Sequence, residues 1–310
     1  MLINLFTLPI FTLSANAEES HIFGNLSISP EYMETVTAKM NISIYGYLGI
    51  RGERPINKAL NLFYNISYEM ESGKDNENDF SPKDQYIGLQ GNLGVIALGR
   101  DKTLLKRSEG NVDLFNYLSA DIKFLFKGQD RLPQTATYVT PTWQGSNVGI
   151  SYLTNANEEQ YGMNGYSIAA RYGDTLLNDS ALYTAIAYDH NVKGYNIFRA
   201  TFQSQFNQLI LGGMYQRQEQ VYSLGIAVSE PINTGYMLSL IYPLNSVNIK
   251  GQFQIMENTG RSAAIGLEYS LSNAIDLLLY YVNRCYDEQI NDPIDSTEEK
   301  YLGININYLF

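Results

Sequence analysis

The feature that most restricts this chain is an alternation of apolar and polar residues with a period of two, clearest in YLGININYLF at its C-terminal end. Leu302, Ile304, Ile306, Tyr308 and Phe310 fall on one face; Tyr301, Gly303, Asn305 and Asn307 fall on the other. Successive side chains of a strand point to opposite sides, so this reads as a strand with one greasy face and one small or polar face. The same grammar recurs at 23–29, 47–53, 59–71, 85–92, 95–100, 136–141, 148–154, 166–172, 182–189, 197–203, 209–217, 222–229, 236–242, 247–256, 264–270 and 277–284. With the C-terminal segment that makes about seventeen candidate strands, and period-3.6 patterns are almost absent. The chain reads as all-β.

Alternating strands suit a soluble sandwich, with the greasy faces packed together, or a membrane barrel, with the greasy face toward lipid and the polar face toward a wet lumen. An apolar fraction of 45% excludes a disordered chain. No internal stretch approaches the roughly 18 continuous apolar residues of a membrane-crossing helix. A mean hydropathy of -0.21 looks soluble, yet alternation averages to neutrality in a barrel as well. The formal charge of -11 excludes a general nucleic-acid binder, which needs a cationic surface. One Cys allows no internal disulfide, and there is no CxxC or Cys/His cluster, so neither a metal nor a cofactor is expected.

Residues 1–17, MLINLFTLPIFTLSANA, are apolar, end in Ala15-Asn16-Ala17 and give way to Glu18-Glu19. This is the layout of a secretory signal peptide, although it lacks a basic residue near its start. The expected mature domain is 18–310. Its connections alternate in kind. Gly91-Asn92, 204–207, 229–235 and Ser272-Asn273 read as short turns, whereas 71–84 and 287–300 are longer and acidic. Short turns on one side and longer loops on the other suit an outer-membrane barrel, and even strand numbers favour sixteen. Tyr45, Tyr47, Tyr138, Tyr152, Tyr172, Tyr188, Tyr215, Tyr242 and Tyr308 sit near strand ends. They suit interfacial girdles, or simply reflect the strand preference of Tyr. One connection stands apart: 102–134 has no clear strand yet carries VDLFNYLSADIKFLF. A loop so long and so apolar suits a segment folded back into a lumen.

Several of these segments resemble the general porin family of Gram-negative outer membranes. YLGIRGER at 47–54 is similar to that family's second-strand motif, and QYIGLQGNLGVIALGR at 85–100 to its fourth and fifth strands. TYVTPTWQG at 137–145 resembles the sixth strand and its turn, and the sequence closes on Phe310. The resemblance implies a transmembrane antiparallel β-barrel of about 16 strands, assembled as a homotrimer. It implies a water-filled pore narrowed by the third extracellular loop, here 102–134. It also implies a basic wall, matched by Arg51, Arg100 and, less closely, Arg131, facing loop carboxylates at Glu109, Asp113 and Asp121. The Pro-Glu-Phe-Gly-Gly-like tip of many such loops is absent. The 102–134 segment holds six basic and four acidic residues, so its own charge favours anions where the whole chain favours cations. Arg51 shares its face with Tyr47 and Gly49. Arg100 shares its face with Ile96 and Leu98, and turns inward only if Gly99 ends or bulges the strand. Tyr308 and Phe310 resemble the signal by which barrel-assembly machinery recognises such chains.

The functional expectation is a passive channel for ions and small hydrophilic solutes in the cell outer membrane. Its other expected contacts are outer-membrane lipid and lipopolysaccharide; the acidic clusters at 71–84 and 287–299 read as solvated extracellular loops, with divalent-cation bridging to lipopolysaccharide as the alternative. Alternatives are a sugar channel with aromatics along the lumen, a phosphate channel using Lys123 and Lys127, or a secreted all-β adhesin. No enzyme is expected. His21 and His190 are the two His, neither near a Gly-x-Ser-x-Gly elbow, and Cys285 reads as a packing residue.

Overall fold

A computed structural model describes residues 19–35, 38–72, 80–154, 162–287 and 298–310. The expected signal peptide and much of the two acidic loops lie outside these residues.

The strands are β1 (Glu19–Glu34), β2 (Ala38–Asn57), β3 (Leu60–Ser72), β4 (Phe80–Gly91), β5 (Gly94–Lys102), β6 (Arg131–Val139), β7 (Ser146–Leu153), β8 (Gly165–Tyr172) and β9 (Leu182–Val192). They continue with β10 (Tyr195–Phe206), β11 (Leu209–Gln220), β12 (Tyr222–Ser223), β13 (Ile226–Ala227), β14 (Asn233–Leu244), β15 (Val247–Met256), β16 (Gly260–Ser270), β17 (Ile275–Tyr286) and β18 (Glu298–Leu309). All but β12 and β13 form one closed antiparallel barrel of 16 strands, in which β1 pairs with both β2 and β18. Closure leaves no strand edge exposed, the condition for a sheet to cross lipid.

Sixteen of the seventeen candidate segments lie in the wall. The exception, 222–229, forms the separate β12–β13 hairpin in the β11–β14 connection. Residues 229–235, expected as a short turn, therefore belong to the side of the longer loops. That side also includes three tight connections, after Glu34, Val192 and Met256, so the division into short and long is incomplete.

The apolar parity is the exposed one. Leu48 and Ile50 on β2 and Leu302, Ile304 and Ile306 on β18 are about half exposed, whereas Ser27, Ser67, Thr137, Ser151 and Ser167 on the opposite parity are buried. A soluble sandwich would cover the greasy face. A closed ring that displays it is made for lipid.

Tyr138, Tyr152, Tyr172, Tyr242 and Tyr308 stand on that exposed face. Tyr45 and Tyr47 do not: both are buried on the polar parity, where a ring from elsewhere in the chain covers them.

Candidate functional site

Between β5 and β6 the chain runs through residues 103–130 and folds into two short helical turns. Helix α1 (Leu104–Ser108) is capped by Thr103, whose Oγ1 accepts from the Lys106 amide at 3.1 Å. A 3-10 turn at Ile122–Phe124 is capped by Asp121, which accepts from the Lys123 amide at 2.8 Å.

The apolar residues of this segment pack on the wall in three patches. Leu104 and Leu105 join Val139, Ala169, Ala187 and Ile197. Val112, Ile122, Leu125 and Phe126 join Met214, Met237 and Met256. Phe115 and Ala120 join Leu278, Tyr280, Val282 and Tyr301. Wall glycines make the approach possible. A Cβ on Gly149 would sit 2.9 Å from Leu104, one on Gly212 2.9 Å from Val112, one on Gly235 2.7 Å from Phe126, and one on Gly266 3.1 Å from Phe115.

Wall side chains then satisfy backbone groups that an irregular segment leaves unpaired. Arg199 donates to the carbonyls of Leu105 and Lys127 at 3.1 and 3.2 Å, and Arg284 to that of Ser119 at 2.8 Å. Gln252 and Gln254 donate to the Ala120 carbonyl at 2.8 and 2.9 Å, and Ser167 Oγ accepts from the Leu105 amide at 3.0 Å.

The segment reaches a second part of the wall at Tyr117. Its ring stacks on Tyr45 of β2, with centroids 3.9 Å apart and planes 16° from parallel. Lys83 of β4, almost fully buried, donates to the hydroxyls of Tyr45 and Tyr117 and lies 2.9 Å from a Glu69 oxygen. Its Nζ also lies 4.6–5.1 Å from the ring centroids of Tyr45, Tyr47 and Tyr117. Arg131, ion-paired to Asp84 at 3.1 Å, completes the surroundings. Burial alone would raise the Tyr117 phenol. Arg131 and Lys83 outweigh it and bring the pKa down to about 8. Tyr117 holds φ +67, a left-handed conformation that a bulky side chain adopts at a penalty.

Residues 5–289 match the family model for Gram-negative porins. The chain belongs to that family. A search of curated proteins finds no match by sequence. Among solved structures, the barrel is similar to an anion-selective porin from Comamonas acidovorans, with a TM-score of 0.76 and 16% identity, covering 95% of this chain and 100% of the other. It is similar to Salmonella typhi OmpF in complex with daunomycin, with a TM-score of 0.75 and 14% identity over 94% of this chain and 98% of that one. It also resembles the trimer form of OmpT, an outer membrane protein of Vibrio cholerae, with a TM-score of 0.68 and 13% identity over 95% and 100% of the two chains. At these identities the likeness is one of fold.

In this porin the residues singled out from sequence separate into groups. Arg131 lies beside the Tyr117 contact. Arg51 is exposed on β2, its guanidinium 5.1 Å from the Phe23 ring centroid. At Arg100 the expected irregularity is present: Gly99 has φ +137, and the β5–β6 register shifts between Gly99 and Asp101. The Arg100 guanidinium donates at 2.9 Å to the Arg131 carbonyl, and Asp101 is the buried residue that follows.

The three loop carboxylates face protein. Glu109 is buried 3.5 Å from Arg199. Asp113 accepts from the Phe115 and Ile122 amides and from Gln252. Asp121 accepts from the Tyr117 and Lys123 amides. Burial, with Asp121 and Glu109 nearby, pushes the Asp113 carboxyl well above the usual carboxylate range. Lys123 and Lys127 are exposed, the first 3.8 Å from Asp121 and the second 5.9 Å from the Tyr195 ring centroid. Phe310 stacks on Tyr308 with centroids 5.4 Å apart and exchanges backbone hydrogen bonds with Gly24.

Lys83, Arg171, Arg199, Arg284 and Tyr117 were not anticipated. For Arg199 a signal exists: it lies on the polar parity of 197–203, opposite Phe198, Ala200 and Phe202.

Proposed function

We propose that this porin is an open, passive diffusion channel for ions and small hydrophilic solutes, narrowed by residues 103–130. The observation that carries the reading is the seating of that segment on the polar face of a closed barrel, through buried apolar patches and direct hydrogen bonds. Polar parity inside and apolar parity outside suit water within and lipid without. The assembled unit is a homotrimer, in keeping with the trimeric OmpT of similar fold. Residues 1–17 serve as the export signal, Phe310 as part of the assembly signal, and the acidic connections from β3 to β4 and from β17 to β18 as contacts for lipopolysaccharide. A sugar slide is less well supported. Phe23, Tyr45, Tyr47 and Phe63 on the polar parity are each 8–9% exposed, so little ring face is available for stacking.

Planar-bilayer recording of the purified protein tests this reading. Stepwise openings in groups of three support a trimeric channel. A folded, heat-modifiable barrel that conducts nothing overturns it.

A further inference from the structure

The charges around residues 103–130 are distributed unequally. Four cations gather where α1 meets the wall, around the lysine Lys102 that ends β5: Lys106 and Arg107 on α1, Arg131 at the start of β6 and Arg171 on β8. Lys102 lies within electrostatic reach of Lys106, Arg107 and Arg131, and Arg171 within reach of Arg107. Two carboxylates are ion-paired within this group: Asp101 takes Arg107 at 2.6 Å and Asp84 takes Arg131 at 3.1 Å. Lys106 Nζ donates at 3.3 Å to the carbonyl and side-chain oxygens of Gln129, and Arg171 Nε donates at 3.1 Å to Asn147. Neutral partners of that kind leave the charge uncancelled.

The acidic side of the balance is turned away from water. Glu109 is buried against Arg199, Asp121 is buried on backbone amides, and Asp130 lies 3.4 Å from Lys193. Asp113 accepts from two amides and a glutamine, and its raised pKa favours the uncharged acid. Glu69 faces Lys83, and Glu31 is buried on Ser119 and Tyr280. Meanwhile Lys127 is exposed. The formal charge of -11 is therefore a property of the whole chain that its narrow part does not share.

We infer that the cluster around α1 makes the passage prefer small anions, such as chloride, carboxylates and phosphate, over cations of similar size. The inference rests on the channel reading above and deepens it. In a low-dielectric enclosure, uncancelled charges at the narrowest level set ion preference more strongly than distant loop charges, which salt screens. Lys106 and Arg171 are the specificity-determining residues, because each adds a charge that no carboxylate among the described residues pairs.

The test is the reversal potential of the full-length protein under a KCl gradient. The wild type is expected to pass chloride in preference to potassium. Lys106→Gln should lower the chloride-to-potassium permeability ratio by about twofold or more, and adding Arg171→Gln should lower it further. Lys123→Gln should move it little, since Asp121 already offsets that charge. Heat-modifiable migration of each variant establishes folding, and Lys106→Gln, which removes a half-buried side chain, suffices if the double variant fails to fold. Potassium preference in a conducting wild type overturns the inference while the channel reading stands. So does a chloride preference that Lys106→Gln leaves unchanged. A folded barrel that does not conduct removes the channel reading and this inference together.

Discussion

Tyr117 concentrates more of the site's chemistry than any other single residue. Its ring stack on Tyr45, its hydrogen bond from Lys83 and its φ of +67 describe a strained tip held by its neighbours. The phenol is lowered to about 8, whereas an unperturbed Tyr ionises near 10. A depressed pKa means that the seated tip favours the phenolate. The extra hold on the tip grows as pH rises from about 8 to 10, stays above that range, and is lost as pH falls through 8. Ultraviolet difference titration should reveal one tyrosine ionising near 8 that Tyr117→Phe abolishes; an unchanged titration would show the assignment to be wrong. Tyr117→Gly should also relieve the backbone strain yet release the tip, raising conductance and the noise of the open channel. Little of this was legible in sequence. Tyr117 sits in an irregular stretch with no period to orient it, and Lys83 lies beside a register shift between Ile66 and Tyr68 that breaks the parity of β4. Arg199, by contrast, lies in a stretch, 197–204, that pairs with β9 without a shift, and its parity alone places it on the polar side.

At the scale of elements, the strands were readable because each carries its own period, and the one misplaced segment shows the limit. Residues 222–229 alternate like a wall strand, but they pair only with each other as β12–β13. Alternation reports that a segment is extended and two-faced, and it does not report its partner. The seat of residues 103–130 was hidden for a related reason. Leu278, Tyr280 and Val282 make the polar parity of β17 apolar, and the segment that covers them is more than 150 positions earlier in the chain. Gly149 and Leu104 offer a direct test of that seating. Gly149→Ala places a methyl 2.9 Å from Leu104, an overpacking that costs about 1–3 kcal/mol. Leu104→Ala empties a fully buried site and costs about 2–5 kcal/mol. In the double variant the added methyl occupies part of the vacated space, so the combined loss should be clearly less than the sum. Resistance of residues 103–130 to limited proteolysis is the readout. Additive losses would mean that the two residues do not meet.

The whole molecule depends on one closure, β1 with β18, between strands at opposite ends of the described chain. That pairing is the most non-local in the barrel, so it carries the largest loop-closure cost of any pair of neighbouring strands. At its margin Gly24 and Phe310 exchange hydrogen bonds: the Gly24 amide donates to the Phe310 carbonyl at 2.9 Å, and the Phe310 amide to the Gly24 carbonyl at 3.1 Å. The Phe310 ring lies over Gly24 so closely that a Cβ there would collide with it. Phe310 therefore has a structural role in the finished seam as well as its proposed role in recognition during assembly, and two variants separate them. Deleting Phe310 removes both and should sharply reduce the yield of heat-modifiable barrel in cells. Gly24→Val keeps Phe310 in the sequence but displaces its ring from the seam. If recognition dominates, Gly24→Val assembles at nearly the wild-type rate and loses only stability, with a lower melting temperature of the folded band. If the seam dominates, the two variants fail alike, both in cells and when refolded into detergent without any assembly machinery. Normal assembly of the Phe310 deletion in cells would exclude both roles.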